Sequence, residues 1–128
     1  MCARTPERAQ AVAREHQIPK WYTDARQLIL SELDLVSIAS PPHTHSGFAA
    51  AALASGKHTV VEIAYVASTL EARVLLDMAA EMRRVGVPAF VLRYTPTLRQ
   101  ISDLLAQRKI GARRGLDRLL TSLPVHPH

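Results

Sequence analysis

Two short stretches of this chain hold groups able to do chemistry. The first is SPPHTH, residues 40–45, which sets hydroxyls and two imidazoles on a proline-rich turn. The second is HTVVE, residues 58–62, in which an apolar run delivers one carboxylate, Glu62. A carboxylate held at a strand end is a ligand group or a general acid–base. Ile63 and Ala64, which follow it, can move no proton. His43 and His45 are metal-ligand types, but they lie two residues apart with no acid or cysteine beside them. Residues i and i+2 do not share a helix face, so no metal site is assigned. The basic run RKIGARRGLDR, residues 108–118, is read as solvated surface. The rival reading is a phosphate-contacting face. No nucleic-acid motif accompanies it and aromatics are only 5% of the chain, so nucleic acid ranks low as a partner.

The elements that must position these groups alternate. Thr5 with Pro6 and Glu7 opens a helix through Ala9, Val12, Ala13 and His16. Ile18 to Tyr22 reads as extended, and Thr23 as the cap of a second helix ending at Leu30. LVSIA, residues 35–39, is a strand stopped by Pro41-Pro42. His43 to Ala54 is an alanine-rich helix, closed by Gly56 in the left-handed conformation. His58 to Val61 is the next strand. Ser68 and Glu71 form a capping box for a helix whose stripe is Val74, Leu75, Met78, Ala79, Met82 and Val85, with Gly86 as its stop. Val87 to Leu92 reads as a strand, and Thr95-Pro96 starts a helix with Leu98, Ile101, Leu104 and Leu105 on one face, ended by Gly111. Residues 112–121 are a weak strand candidate. Strands alternating with helices argue for an α/β fold with a parallel sheet, whose ligands sit at the C-terminal ends of the strands. Both chemical stretches fall there.

The 128 residues suit one domain, and 48% apolar content is that of a globular chain. A net charge of +5 fits either a basic surface or an anionic partner such as a nucleotide. Cys2 is the only cysteine, which excludes a disulfide within the chain. Arg4, Glu7 and Arg8 at the start are unlike a signal peptide, and no run approaches a membrane span. A cytoplasmic location is expected.

The stretches ARTPERAQAVA, DLVSIASPPHTH, AALASGKHTVVE and VLRYTPTLRQISDLLAQRKIG, within residues 2–111, resemble those of the glucose–fructose oxidoreductase, inositol dehydrogenase and rhizopine-catabolism (Gfo/Idh/MocA) family. The resemblance implies a nucleotide-binding α/β domain, NAD or NADP at the strand ends, and hydride transfer on a sugar- or polyol-like hydroxyl. It implies that Ser40, Pro41, Pro42 and His45 lie along the cofactor. Glu62 matches the acid of the family's Glu-Lys-Pro motif, near the nicotinamide ribose. Arg93, Tyr94 and Pro96 match the Arg-aromatic-x-Pro segment that leads out of the domain. Arg4, with Thr5 beside it, falls where NAD-preferring members place an acid. A guanidinium there suits a 2′-phosphate and favours NADP over NAD.

Three departures accompany the matches. Ile63-Ala64 replaces the Lys-Pro of Glu-Lys-Pro, as in the glucose–fructose oxidoreductase domain-containing branch. A general acid–base group contributes about 10²–10⁴-fold in rate, so its loss points to a compromised enzyme, and no catalytic residue is assigned. The glycines at 47, 56, 86, 111 and 115 supply no G-x-G-x-x-G. The family's C-terminal sheet domain, with its catalytic histidine, has no counterpart in the sequence. The expected fold is therefore a partial Rossmann-like, doubly wound parallel sheet lacking its first strand and glycine-rich loop. Residues 1–111 form the nucleotide domain, and 112–128 begin the truncated remainder. The alternative is a non-catalytic module whose incomplete sheet docks on a partner or a second copy.

Overall fold

Small polar residues and prolines open the helices. In a computed structural model describing residues 1–110, Thr5 caps α1 (Pro6–Glu15) by accepting the Arg8 N–H, with Pro6 in the first turn. Asp24, and not Thr23, caps α2 (Ala25–Leu30): its carboxylate is one residue nearer and takes the Arg26 N–H at 2.8 Å. The chain then runs through β1 (Leu35–Ile38), a 3-10 turn at Pro42–Thr44, α3 (His45–Ala54), β2 (His58–Val61), α4 (Thr69–Glu81) and β3 (Gly86–Pro88). These elements form one compact unit, Met1–Ala89. A second unit starts at Phe90 and contains a 3-10 turn at Val91–Tyr94 and α5 (Pro96–Ala106). Leu98, Ile101, Leu104 and Leu105 form the half-buried stripe of α5. Gly111 and the strand candidate at 112–121 lie outside the described residues.

The sheet is parallel, in the order β1-β2-β3, and so of the expected α/β class. Val36 and Ile38 stand opposite Thr59 and Val61, and all four are buried on one face. Ile29 from α2, Ala49, Ala52 and Leu53 from α3 and Leu75 from α4 cover that face. The other face carries Leu35, Ser37 and Val87, which are exposed. The alternation follows from the two-residue period of a strand. Cys2 and Tyr22 make a separate parallel bridge, and among the described residues β1 pairs along one edge only.

Helix ends show where the sequence reading fails. Gly56, at φ 72°, closes α3 as expected, with Gly56 N–H to Leu53 O and Lys57 N–H to Ala52 O. The same pair of bonds closes α1 at Gln17 (φ 53°) and α4 at Arg83 (φ 52°), without glycine. Gly86 therefore does not stop α4. It lies inside β3, paired with Thr59. A Cβ built there would meet the Tyr65 hydroxyl at 2.5 Å and Thr59 Oγ1 at 3.2 Å, so a larger residue would have to displace the end of that tyrosine. The strand read over 87–92 ends at Pro88. One ladder bond follows, Ala89 N–H to Val61 O at 2.7 Å, and the backbone then turns into the 3-10 segment at Val91.

The N-terminal ends of the strands are knit by polar side chains. Lys57 Nζ donates to Leu33 O at 3.0 Å, His58 Nδ1 accepts the Val85 N–H at 3.0 Å, and Arg84 Nε donates to Gly56 O at 2.6 Å. The Gly-Lys-His stretch thus fastens the end of the sheet away from the strand-end turns.

Candidate functional site

Two segments leave the C-terminal ends of adjacent strands. Beyond β1, the chain turns at Ser40–Thr44. Thr44 Oγ1 donates to Pro41 O at 2.7 Å and lies 2.6 Å from Ser40 Oγ. A hydroxyl has one hydrogen, so Ser40 donates to Thr44 and keeps lone pairs free to accept. Pro41, Pro42 and His43 are exposed on this turn. Beyond β2, Glu62 donates its N–H to Ile38 O at 2.9 Å, which holds the acid beside β1. Its side chain is exposed and makes no ion pair among the described residues.

His45 joins the two segments. Its imidazole is 1% exposed. Nδ1 lies 2.8 Å from Ala64 O, and Nε2 lies 2.6 Å from Ser40 O. The sequence reading set His45 beside a ligand. The structure shows its ring inside the protein, as the strut between the Ser40 turn and the segment carrying Glu62. The Ile63–Ala64 peptide bond in that segment is cis.

Three comparisons with known proteins bear on this arrangement. The family model described as an oxidoreductase family with an NAD-binding Rossmann fold, Gfo/Idh/MocA, matches residues 1–90. This chain belongs to the Gfo/Idh/MocA oxidoreductase family. A UDP-N-acetylglucosamine 3-dehydrogenase of Acidithiobacillus ferrooxidans is 32% identical over 111 residues, covering 87% of this chain and 34% of that protein. A putative oxidoreductase from Klebsiella pneumoniae superposes with a TM-score of 0.76 at 29% identity, over 87% of this chain and 32% of that one. A levoglucosan dehydrogenase solved with NADH and levoglucosan superposes with a TM-score of 0.75 at 28% identity, over 86% of this chain and 30% of that one. The chain thus spans about a third of the length of the relatives it matches.

Within this Gfo/Idh/MocA chain, the residues of the sequence reading fall into three groups. Ser40, Pro41, Pro42, His45 and Glu62 are brought to neighbouring strand ends. Arg4 and Thr5 stand between the Cys2–Tyr22 bridge and α1. Arg4 is exposed and makes no hydrogen bond or ion pair through its side chain among the described residues, whereas the Thr5 oxygen is engaged in the cap. Arg93 lies in the second unit, on the 3-10 turn, where its N–H donates to Phe90 O at 3.0 Å. Thr44 and Ala64 were missed. Thr44 orders Ser40, and Ala64 receives the imidazole through a carbonyl that no side-chain pattern marks. No group of three or more metal-ligating side chains occurs among the described residues, and no described helix is long and apolar enough to cross a membrane.

Proposed function

We propose that residues 1–110 form a nicotinamide dinucleotide-binding domain that prefers NADP and does not turn over substrate by itself. The observation that carries the reading is a free carboxylate, Glu62, fixed beside an ordered serine turn at adjacent strand ends in a chain of this family. The residues present suit the ribose end of the group. Glu62 accepts from ribose hydroxyls, and Ser40 Oγ has lone pairs to spare once its proton goes to Thr44. The exposed Arg4 guanidinium offers a fork of donors to a 2′-phosphate. These 128 residues contain no G-x-G-x-x-G loop of the kind that cradles a pyrophosphate. When bound, the cofactor would supply hydride chemistry, of the kind the related levoglucosan dehydrogenase performs on its sugar. Ile63 and Ala64 give that chemistry no proton-transfer group.

The test is thermal unfolding of the whole chain with and without NADPH or NADH. A ligand at 100 times its Kd stabilises by about 2.7 kcal/mol, a rise of several degrees. NADPH is expected to give the larger rise, and Arg4→Asp to remove the difference. A cooperative melt that neither nucleotide moves would overturn the reading.

One observation favours a second reading. β1 offers ladder groups along an edge that no described strand occupies, and such an edge adds strands from other chains. Light scattering over a wide concentration range would show a dimer if a second copy takes that edge, and a constant monomer mass if it does not.

A further inference from the structure

The contacts of His45 do not fit a neutral ring. Ser40 O and Ala64 O are backbone carbonyls, which only accept hydrogen bonds. Neutral imidazole has one N–H, and its other nitrogen carries a lone pair. With Nε2 at 2.6 Å from one oxygen and Nδ1 at 2.8 Å from the other, a neutral ring would press a lone pair against an oxygen whichever tautomer it took. An imidazolium donates to both, at distances usual for a charged donor. The ring is 1% exposed and has no carboxylate in an ion pair with it among the described residues, so the two carbonyls are its polar partners. The charged ring therefore belongs to the arrangement in which both carbonyls are held, and the neutral ring to one in which a single carbonyl is held.

We propose that His45 is a proton-operated tie between the two strand-end turns. With the proton, the Ser40 turn and the Ala64 segment are locked at one separation. Without it, one turn is released. Glu62 stands two residues before Ala64, so the tie sets the spacing between Ser40 Oγ and the Glu62 carboxylate. His45 is thus a positioning residue. Other titratable groups lie close in the chain or on packed elements: His43 on the same turn, Glu62 and Tyr65 on the facing segment, and Glu71 at the start of α4. None of them hydrogen-bonds the imidazole. Glu71 accepts from Ala67 N–H instead. A ligand that binds the locked arrangement better must bind better with the proton on. Affinity then rises as pH falls through the titration of His45, by at most about tenfold per pH unit for one proton.

The first readout needs no ligand and no variant. The whole chain, uniformly labelled with ¹⁵N, is followed by amide and long-range histidine ¹H–¹⁵N correlation from about pH 5 to about pH 8. The expected result is a doubly protonated His45 at the acid end, which loses one N–H as pH rises. Amide shifts should move with that loss in either the Ser40 turn or the Ala64 segment. A single neutral tautomer throughout, or a titration that leaves both turns unmoved, would overturn the proposal. The second readout rests on the cofactor reading above: NADPH affinity as a function of pH. Wild type and His43→Asn should bind several-fold more tightly at the acid end, and His45→Asn should show a flat profile. A wild-type profile as flat as that of His45→Asn overturns the coupling to ligand. Failure of NADPH to bind at any pH sinks the cofactor reading and leaves the histidine spectrum to decide the tie.

Discussion

Arg83→Gly should stabilise this protein, although it deletes a long side chain. Arg83 ends α4 at φ 52°, in the left-handed region that costs a residue bearing a Cβ roughly 1–2 kcal/mol. Its side chain makes no hydrogen bond or ion pair among the described residues. Only its backbone is used, the N–H donating to Ala80 O and the carbonyl accepting from Arg84 Nη1, and glycine keeps both. Glycine removes the strain but enlarges the unfolded ensemble, which takes back about 0.4–1 kcal/mol. The net gain is about 0.5–1 kcal/mol. Gln17 repeats the geometry on α1 at φ 53°. The two positions lie on different helices, so the gains should add to about 1–2 kcal/mol. For a unit of this size, about 1 kcal/mol moves Tm by roughly 4–8 °C. Gly56→Ala is the reverse experiment. A Cβ there meets only Arg84 Nη2, at 4.0 Å, so the loss is conformational and should be about 1 kcal/mol. Urea unfolding followed by the fluorescence of Trp21, the only tryptophan, reads all three variants. Midpoints should shift while the slope stays constant. A fall in midpoint for Arg83→Gly with Gly56→Ala unchanged would refute the account of these helix ends.

Two further outcomes follow from single side chains. Thr59 is 1% exposed and its hydroxyl oxygen has no partner among the described residues, so Thr59→Val should raise stability by about 1 kcal/mol, measured by the same unfolding. Burial raises the Cys2 thiol above its ordinary pKa; the amino terminus opposes the shift and Asp24 adds to it. Thiolate is therefore scarcer in the folded protein than in free cysteine at the same pH. Iodoacetamide should react more slowly with the native chain than with the urea-unfolded one, and the native rate should climb only at more alkaline pH.

Local chemistry was legible in this sequence and remote contact was not. His58–Val61, the Ser68–Glu71 box and the Gly56 stop depend on neighbours within a few residues, and each stands where the pattern put it. In the box itself, Glu71 reaches the Ala67 N–H instead of the Ser68 N–H. Gly86 misled because its reason is Tyr65, a residue distant in the chain whose hydroxyl occupies the space of a side chain. The stripe of α4 was read too wide. Leu75 is buried and Met78 and Ala79 partly so, while Val74 is exposed, because α3 covers one narrow side of that helix. At the candidate site, the spacing His-Thr-His could not show which imidazole turns inward. The choice is made by the carbonyl of Ala64, which arrives from across the sheet.

The order β1-β2-β3 also bears on how the chain reaches this fold. β2 is a partner in both ladders, and β1 and β3 never meet. Each ladder closes a crossover between residues roughly two dozen apart, Leu35 to His58 and Thr59 to Gly86. Loops of similar length carry similar closure entropy, so neither crossover has a clear head start on that ground. Residues of β2 serve whichever ladder forms first. Those of β1 and β3 count only on the route that uses them. A transition state probed by mutation should therefore be polarised about Thr59 and Val61 and diffuse at both flanks.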